Sequence, residues 1–182
     1  MCIRDSPGPG EVVPPRIALT APTRLLYVGR LSHRKGVHVA VDALDALVRE
    51  DRDVRLDVVG AVFPGNEAYL DELRAQVARC GLEDRVSFLG FKSSVWDDLA
   101  RSDIAVITSL VDETFGNTAV EAALAARPAV VSKVGGLPEA VSSSQSATLV
   151  APGDAAALAA AIAAKIDDWP SQATLAVSDL SL

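Results

Sequence analysis

From Arg24 onward the chain alternates between two hydrophobic periods. Short runs of consecutive apolar residues, many of them β-branched, are separated by longer stretches in which apolar positions recur every three or four residues. Leu25-Leu26-Tyr27-Val28 predicts a buried strand ended by Gly29, and Val37 to Glu50 a helix with Val37, Ala40, Val41, Leu44, Leu47 and Val48 on one stripe. Val54 to Val59 predicts the next strand. Glu67 to Cys80 predicts a helix with Leu70, Leu73 and Val77 on one face, stopped by Gly81. Val86 to Leu89 predicts a strand, Ser94 to Arg101 a short helix, and Ile104-Ala105-Val106-Ile107 a fully apolar strand. A loop and a helix over Thr118 to Ala126 follow, then strands at Ala129 to Val131 and Ala147 to Val150. A last alanine-rich helix opens with Asp154 as its N-cap.

Strands that are apolar on both faces and alternate with helices mean βαβ units around a parallel sheet covered on both sides. The fold class expected is therefore α/β: a Rossmann-like doubly wound domain with a parallel sheet of about six strands. In such a fold the ligand lies beyond the carboxyl ends of the strands. That singles out the loops Gly29 to Gly36, Gly60 to Asn66, Gly90 to Ser93, Ser109 to Asn117 and Ser132 to Pro138. The domain is expected over residues 23–168. Met1 to Ser6 has no hydrophobic period and runs into Pro7-Gly8-Pro9-Gly10, so residues 1–22 are expected to be a leader outside the fold. That opening resembles a translated sequencing adapter; a disordered native tail is the alternative. Residues 169–182 are expected to be a truncated tail.

Composition narrows the partners. With 182 residues, 49% of them hydrophobic, the chain has enough length for one core. Its apolar runs stay short of the ~18 residues of a membrane span. The net charge of −7 disfavours a nucleic-acid backbone as partner, yet a few placed cations and a helix N-terminus can still hold a diphosphate. Cys2 and Cys80 form no disulfide framework, and no secretory pattern opens the chain, so a cytoplasmic location is expected. No cofactor is expected.

Two of the strand-end loops carry chemistry. Gly29-Arg30-Leu31-Ser32-His33-Arg34-Lys35-Gly36 has neither the G-x-G-x-x-G nor the Walker spacing. It sets the planar fork of Arg30 and the point charge of Lys35 just before a helix, an arrangement that suits a diphosphate; a solvated basic loop is the other reading. Glu113-Thr114-Phe115-Gly116-Asn117-Thr118-Ala119-Val120-Glu121, following Asp112, puts two carboxylates on either side of a strand-to-helix junction. Gly116 allows close approach of a ligand to the backbone. Glu121 also fits a capping box with Thr118, in which it would serve only its own helix.

The string Glu113-Thr-Phe-Gly…Glu121, with its E-x7-E spacing, resembles the donor-site signature of the family 4 retaining glycosyltransferases, of the group 1 type. Gly29-Arg30…Lys35-Gly36 is similar to that family's diphosphate-binding arginine and lysine. Leu124 to Ser132 and Gly135-Gly136-Leu137-Pro138-Glu139 resemble its following strand and glycine turn. The resemblance implies one half of a GT-B fold, the C-terminal, sugar-nucleotide-binding half. It implies a hexosyltransferase-class enzyme that takes a nucleotide-diphospho-sugar and transfers the glycosyl group with retention. By the same resemblance Arg30 and Lys35 would stabilise the leaving diphosphate and Glu113 would face the donor sugar. Gly29 and the backbone of Phe115, Gly116 and Asn117 would line the donor site, Glu121 would accept from the ribose hydroxyls, and the base would lie near Phe91. It further implies an N-terminal acceptor-binding domain as partner, without which this chain would be inactive. A GT-B epimerase or phosphorylase, and a non-catalytic nucleotide-sugar-binding module, are the competing readings.

Other features carry less. Asp51-Arg52-Asp53 spells a metal-binding D-x-D but falls between helix and strand, at the edge of the sheet away from the ligand. His33 and His38 have no companions at metal-ligand spacing, so no metal site is expected. Trp96 and Phe88 are expected in the core, and Cys80 as inert packing.

Overall fold

The computed structural model describes residues 13–111 and 113–181. Six strands alternate with helices: β1 (Thr23–Val28), α1 (Val37–Arg49), β2 (Val54–Val59), α2 (Glu67–Arg79), β3 (Val86–Gly90) and α3 (Trp96–Arg101) form the first half. The second half is β4 (Ile104–Ile107), α4 (Asn117–Leu124), β5 (Ala129–Ser132), α5 (Leu137–Ala140), β6 (Ala147–Val150), α6 (Ala155–Asp167) and α7 (Trp169–Ser178). The sheet order is β3-β2-β1-β4-β5-β6, and every pairing is parallel. This is the Rossmann-like doubly wound arrangement, with its switch point between β1 and β4.

The period-two alternation of the strands divides the core. Leu25, Tyr27, Leu56, Val58, Ile104 and Val106 face α1, α2 and α6, whereas Leu26, Val28, Val59, Ala105 and Ile107 face α3 and α4. Trp96 is buried in the second cluster and Phe88 packs against the first. Asp154 caps α6 by accepting from the Ala157 N–H at 2.8 Å.

Three expectations differ from the structure. Part of the stretch assigned to a leader is in contact with the domain: residues 1–12 lie outside the described residues, but Val13 is buried in the second core cluster. The Pro14 carbonyl accepts from Arg127, and Arg16 and Thr20 both meet the buried Asp103. The charge of Asp103 at the foot of β4 draws that segment in. The stretch assigned to a tail contains α7, whose Trp169 and Ala173 join the first core cluster. Finally, the capping box is not formed. Gly116, at φ 61, is the N-cap of α4, so Thr118 is already helical, and its hydroxyl donates to the Val28 carbonyl at 3.3 Å.

Candidate functional site

The loops that follow β1 and β4 meet at the switch point because two glycines let them touch. Gly36 has φ 66, and a Cβ there would lie 2.1 Å from the Thr108 carbonyl oxygen. The Thr108 hydroxyl donates to the Lys35 carbonyl at 3.0 Å, and the Leu110 N–H to the Arg34 carbonyl at 2.8 Å. A similar approach brings in the loop after β2: a Cβ on Gly60 would lie 1.8 Å from the Gly29 carbonyl oxygen, and the Leu31 N–H donates to the Ala61 carbonyl at 3.0 Å.

These loops enclose a cavity of about 370 Å³ lined by Arg30, Ser32, Lys35, Phe63, Asn66 and Glu113, among others. Lys35 lies on a short 3₁₀ turn, His33–Lys35, whose αL residue Gly36 becomes the N-cap of α1. Its ammonium forms an ion pair with the Glu113 carboxylate, which also accepts from the Ser109 hydroxyl at 3.1 Å. The two side chains are 24% and 22% exposed, so the pair is neither dry nor fully solvated. Arg30 is held differently. Its guanidinium lies 4.9 Å from the centre of the Phe63 ring. Behind them the Gly136 N–H donates to the Glu113 carbonyl at 2.7 Å, tying the glycine turn before α5 to the same loop.

Arg30, Lys35 and Glu113 thus line one cavity, while the other candidates are outside that lining. Gly29 ends β1 and donates its N–H to the Val59 carbonyl at 3.0 Å. Phe91 follows β3 and is 53% exposed, outside the cavity lining. Phe115 is 76% exposed, Gly116 is buried and Asn117 is the first residue of α4; none of the three lines the cavity. Glu121 is buried one turn into α4. Asp112 lies outside the described residues. Sequence reasoning passed over Phe63, Asn66 and Ser109 as individuals, although all three sit in loops after β2 and β4 that the fold marked as ligand-facing.

A second depression, of about 610 Å³, lies over α1 and α2 and is lined by His33, His38, Asp42, Tyr69, Glu72 and Gln76, among others. Its polar groups satisfy one another. His33 packs on the Tyr69 ring at 4.3 Å and approaches Glu72 at 3.2 Å; His38 Nδ1 is 3.0 Å from the Tyr69 hydroxyl; Gln76 donates to Asp42 at 2.6 Å. Burial, and then the neighbouring His33, holds His38 below the ordinary imidazole value. Burial pushes the Tyr69 phenol up to about 12. Among the described residues no group of three or more His, Cys, Asp or Glu could hold a metal ion. Among them, too, no helix is long and apolar enough to cross a membrane. The D-x-D string lies at the opposite edge of the sheet, with Arg52 paired to Asp167 and Asp53 to Arg85.

Comparison with known proteins identifies the family and the fold. Glycogen synthase of Mycobacterium tuberculosis is 40% identical over 151 residues, covering 82% of this chain and 35% of that protein. The 2-deoxystreptamine glucosyltransferase of Streptomyces kanamyceticus is 35% identical over 144 residues, covering 78% of this chain and 36% of that protein. The chain therefore spans about a third of the length of these curated relatives. The crystal structure of Anabaena Alr3699/HepE in complex with UDP and glucose superposes with a TM-score of 0.83 at 35% identity, covering 88% of this chain and 43% of that one. The C-terminal domain of a group 1 glycosyl transferase (LpcC) from Francisella tularensis has the same fold, with a TM-score of 0.77 at 21% identity over 90% of this chain and 85% of that one. The fold is thus a Rossmann-like α/β domain matching its GT-B neighbours, and it spans 43% of the Anabaena chain. The family model for glycosyl transferases group 1 matches residues 16–176, a span that holds Arg30, Lys35 and Glu113. The chain belongs to the group 1 glycosyl transferases.

Proposed function

We propose that this chain binds a nucleotide-diphospho-sugar at the switch point and presents its anomeric carbon for transfer with retention. The observation that carries the reading is the convergence of Arg30, Lys35 and Glu113 on one cavity beyond the carboxyl ends of β1 and β4, in a member of a glycosyltransferase family. Arg30 and Lys35 hold the diphosphate. As the glycosidic C–O bond breaks, negative charge grows on the departing phosphate oxygen, and two cations fixed beside it lower the barrier. Glu113 faces the sugar. Glu121 and the start of α4, near the end of β1, take the ribose and phosphate, and the segment around Phe91 takes the base. Retention rests on the likeness of the Glu113…Glu121 spacing to the family 4 enzymes. The UDP and glucose bound by the Anabaena relative are consistent with this donor class. The acceptor is held by a second, N-terminal domain of the whole protein, and transfer needs both, since much of the acceleration comes from fixing the two substrates together away from water.

The test is calorimetry of the purified chain with UDP, GDP and ADP and their sugar conjugates. Each charge-assisted contact contributes about 1.5–3 kcal/mol, so Arg30→Ala and Lys35→Ala should each weaken nucleoside diphosphate binding about ten-fold or more. Unchanged affinity in both variants would remove the assignment.

A further inference from the structure

Phe63 is a large aromatic residue spent on the surface, with 55% of its area exposed, at the mouth of the cavity that Arg30 and Lys35 line. The Asn66 N–H closes a turn onto the Phe63 carbonyl at 2.9 Å, and Gly60 lets the start of the same loop approach the Gly29 carbonyl. The ring face lies 4.9 Å from the Arg30 guanidinium carbon. Among the described residues no carboxylate pairs with that guanidinium, in contrast with the ammonium of Lys35.

The difference has a chemical consequence. A carboxylate that orients a cation also neutralises it and occupies its N–H donors. An aromatic face orients a guanidinium through its quadrupole while leaving the edge N–H groups and the charge available. A flexible arginine would otherwise lose side-chain entropy when an anion fixes it. We infer that Phe63 is a positioning residue for the donor diphosphate, holding Arg30 over the cavity in a binding-ready direction without discharging it. This rests on the donor-site reading above and adds a residue of the β2–α2 loop to it.

UDP, GDP and ADP are titrated calorimetrically into the purified chain and its variants. Phe63→Leu, which keeps apolar bulk but removes the ring face, should weaken the binding about three-fold or more, while Phe63→Trp, which keeps a face, should retain it. In an Arg30→Ala background Phe63→Leu should change nothing further, because its effect runs through the guanidinium. A Phe63→Leu affinity equal to that of the unaltered chain overturns the assignment. So does a loss that Phe63→Trp shares, or one that persists without Arg30. Those outcomes leave the donor reading standing. If the unaltered chain binds none of the three nucleotides, the donor reading falls and takes this role for Phe63 with it.

Discussion

Arg30 and Lys35 belong to one loop and line one cavity, yet an anion meets them on different terms. Lys35 comes with its own counter-ion: a diphosphate that approaches it must share the ammonium with Glu113 or displace that carboxylate. In a partly exposed setting such a pair contributes modestly, on the order of 1 kcal/mol or less, but it acts directly against the ligand. Glu113→Gln should therefore tighten the binding of a bare nucleoside diphosphate about two- to five-fold, even as it removes the group assigned to the sugar. Titration of the variant with UDP, GDP and ADP checks this; weaker or unchanged binding would mean that Glu113 does not compete with the diphosphate for Lys35. That Arg30, Lys35 and Glu113 stand in loops after strands was legible in the sequence, because a strand end, a glycine and a charge are all local features. The Lys35–Glu113 pair joins residues 78 positions apart, and no periodicity reports such a contact. Glu121 shows the reverse limit. Its spacing from Thr118 also fits a local cap, but an αL glycine starts the helix two residues earlier and the Thr118 hydroxyl goes to β1 instead.

Three helices end in the same way before the next strand begins. After α1 the Arg52 N–H reaches the Leu47 carbonyl and the Asp51 N–H the Val48 carbonyl. After α2 Leu82 and Gly81 do the same to Val77 and Ala78, and after α4 Arg127 and Ala126 to Ala122 and Ala123. This is the paired closure of a Schellman motif, and it needs a left-handed residue just past the cap. The residues there are Asp51 at φ 58, Gly81 at φ 67 and Ala126 at φ 50. Only Gly81 announced its terminus in the sequence, since glycine is the residue this conformation favours. At Ala126 the strain is held by the neighbouring Arg127, 1% exposed, whose guanidinium donates to the carbonyls of Leu99, Ala100, Ala125, Ala126 and Pro14. Asp51 is exposed, and as an acid at a helix C-terminus it also opposes the dipole. Asp51→Gly should therefore stabilise the fold by about 1 kcal/mol. Chemical denaturation would show it as a higher midpoint at unchanged slope; a midpoint equal to or below that of the unaltered protein would contradict the reading.

For the molecule as a whole, the alternation of periods was enough to place six strands, because sheet and helix faces each impose a local repeat. The clasps that close the fold were not legible, because each joins distant segments through a single polar group. Asp103 gathers Arg16, Thr20 and the Arg24 N–H, and Lys165 joins α6 to the residues before β6 and to α7. Lys165 is 3% exposed, and its ammonium donates to the Ser146 carbonyl at 2.6 Å and to Gln172 Oε1 at 3.0 Å. Burial pushes it down to about 8, with Asp179 partly opposing the shift. An unfolded lysine keeps its proton to about 10.4. Between those values the unfolded chain binds the extra proton, so this group makes stability rise with pH across that window. The buried Tyr27 and Tyr69 phenols are both pushed up, chiefly by burial, and act in the opposite sense once the unfolded tyrosines ionise near pH 10. Lys165→Met keeps the bulk of the side chain and removes its proton, so comparing the two proteins isolates the lysine. Urea denaturation from pH 7.5 to 10 should show the unaltered protein gaining stability relative to Lys165→Met as pH rises. Parallel curves for the two proteins would show that Lys165 is no harder to charge in the fold than in water.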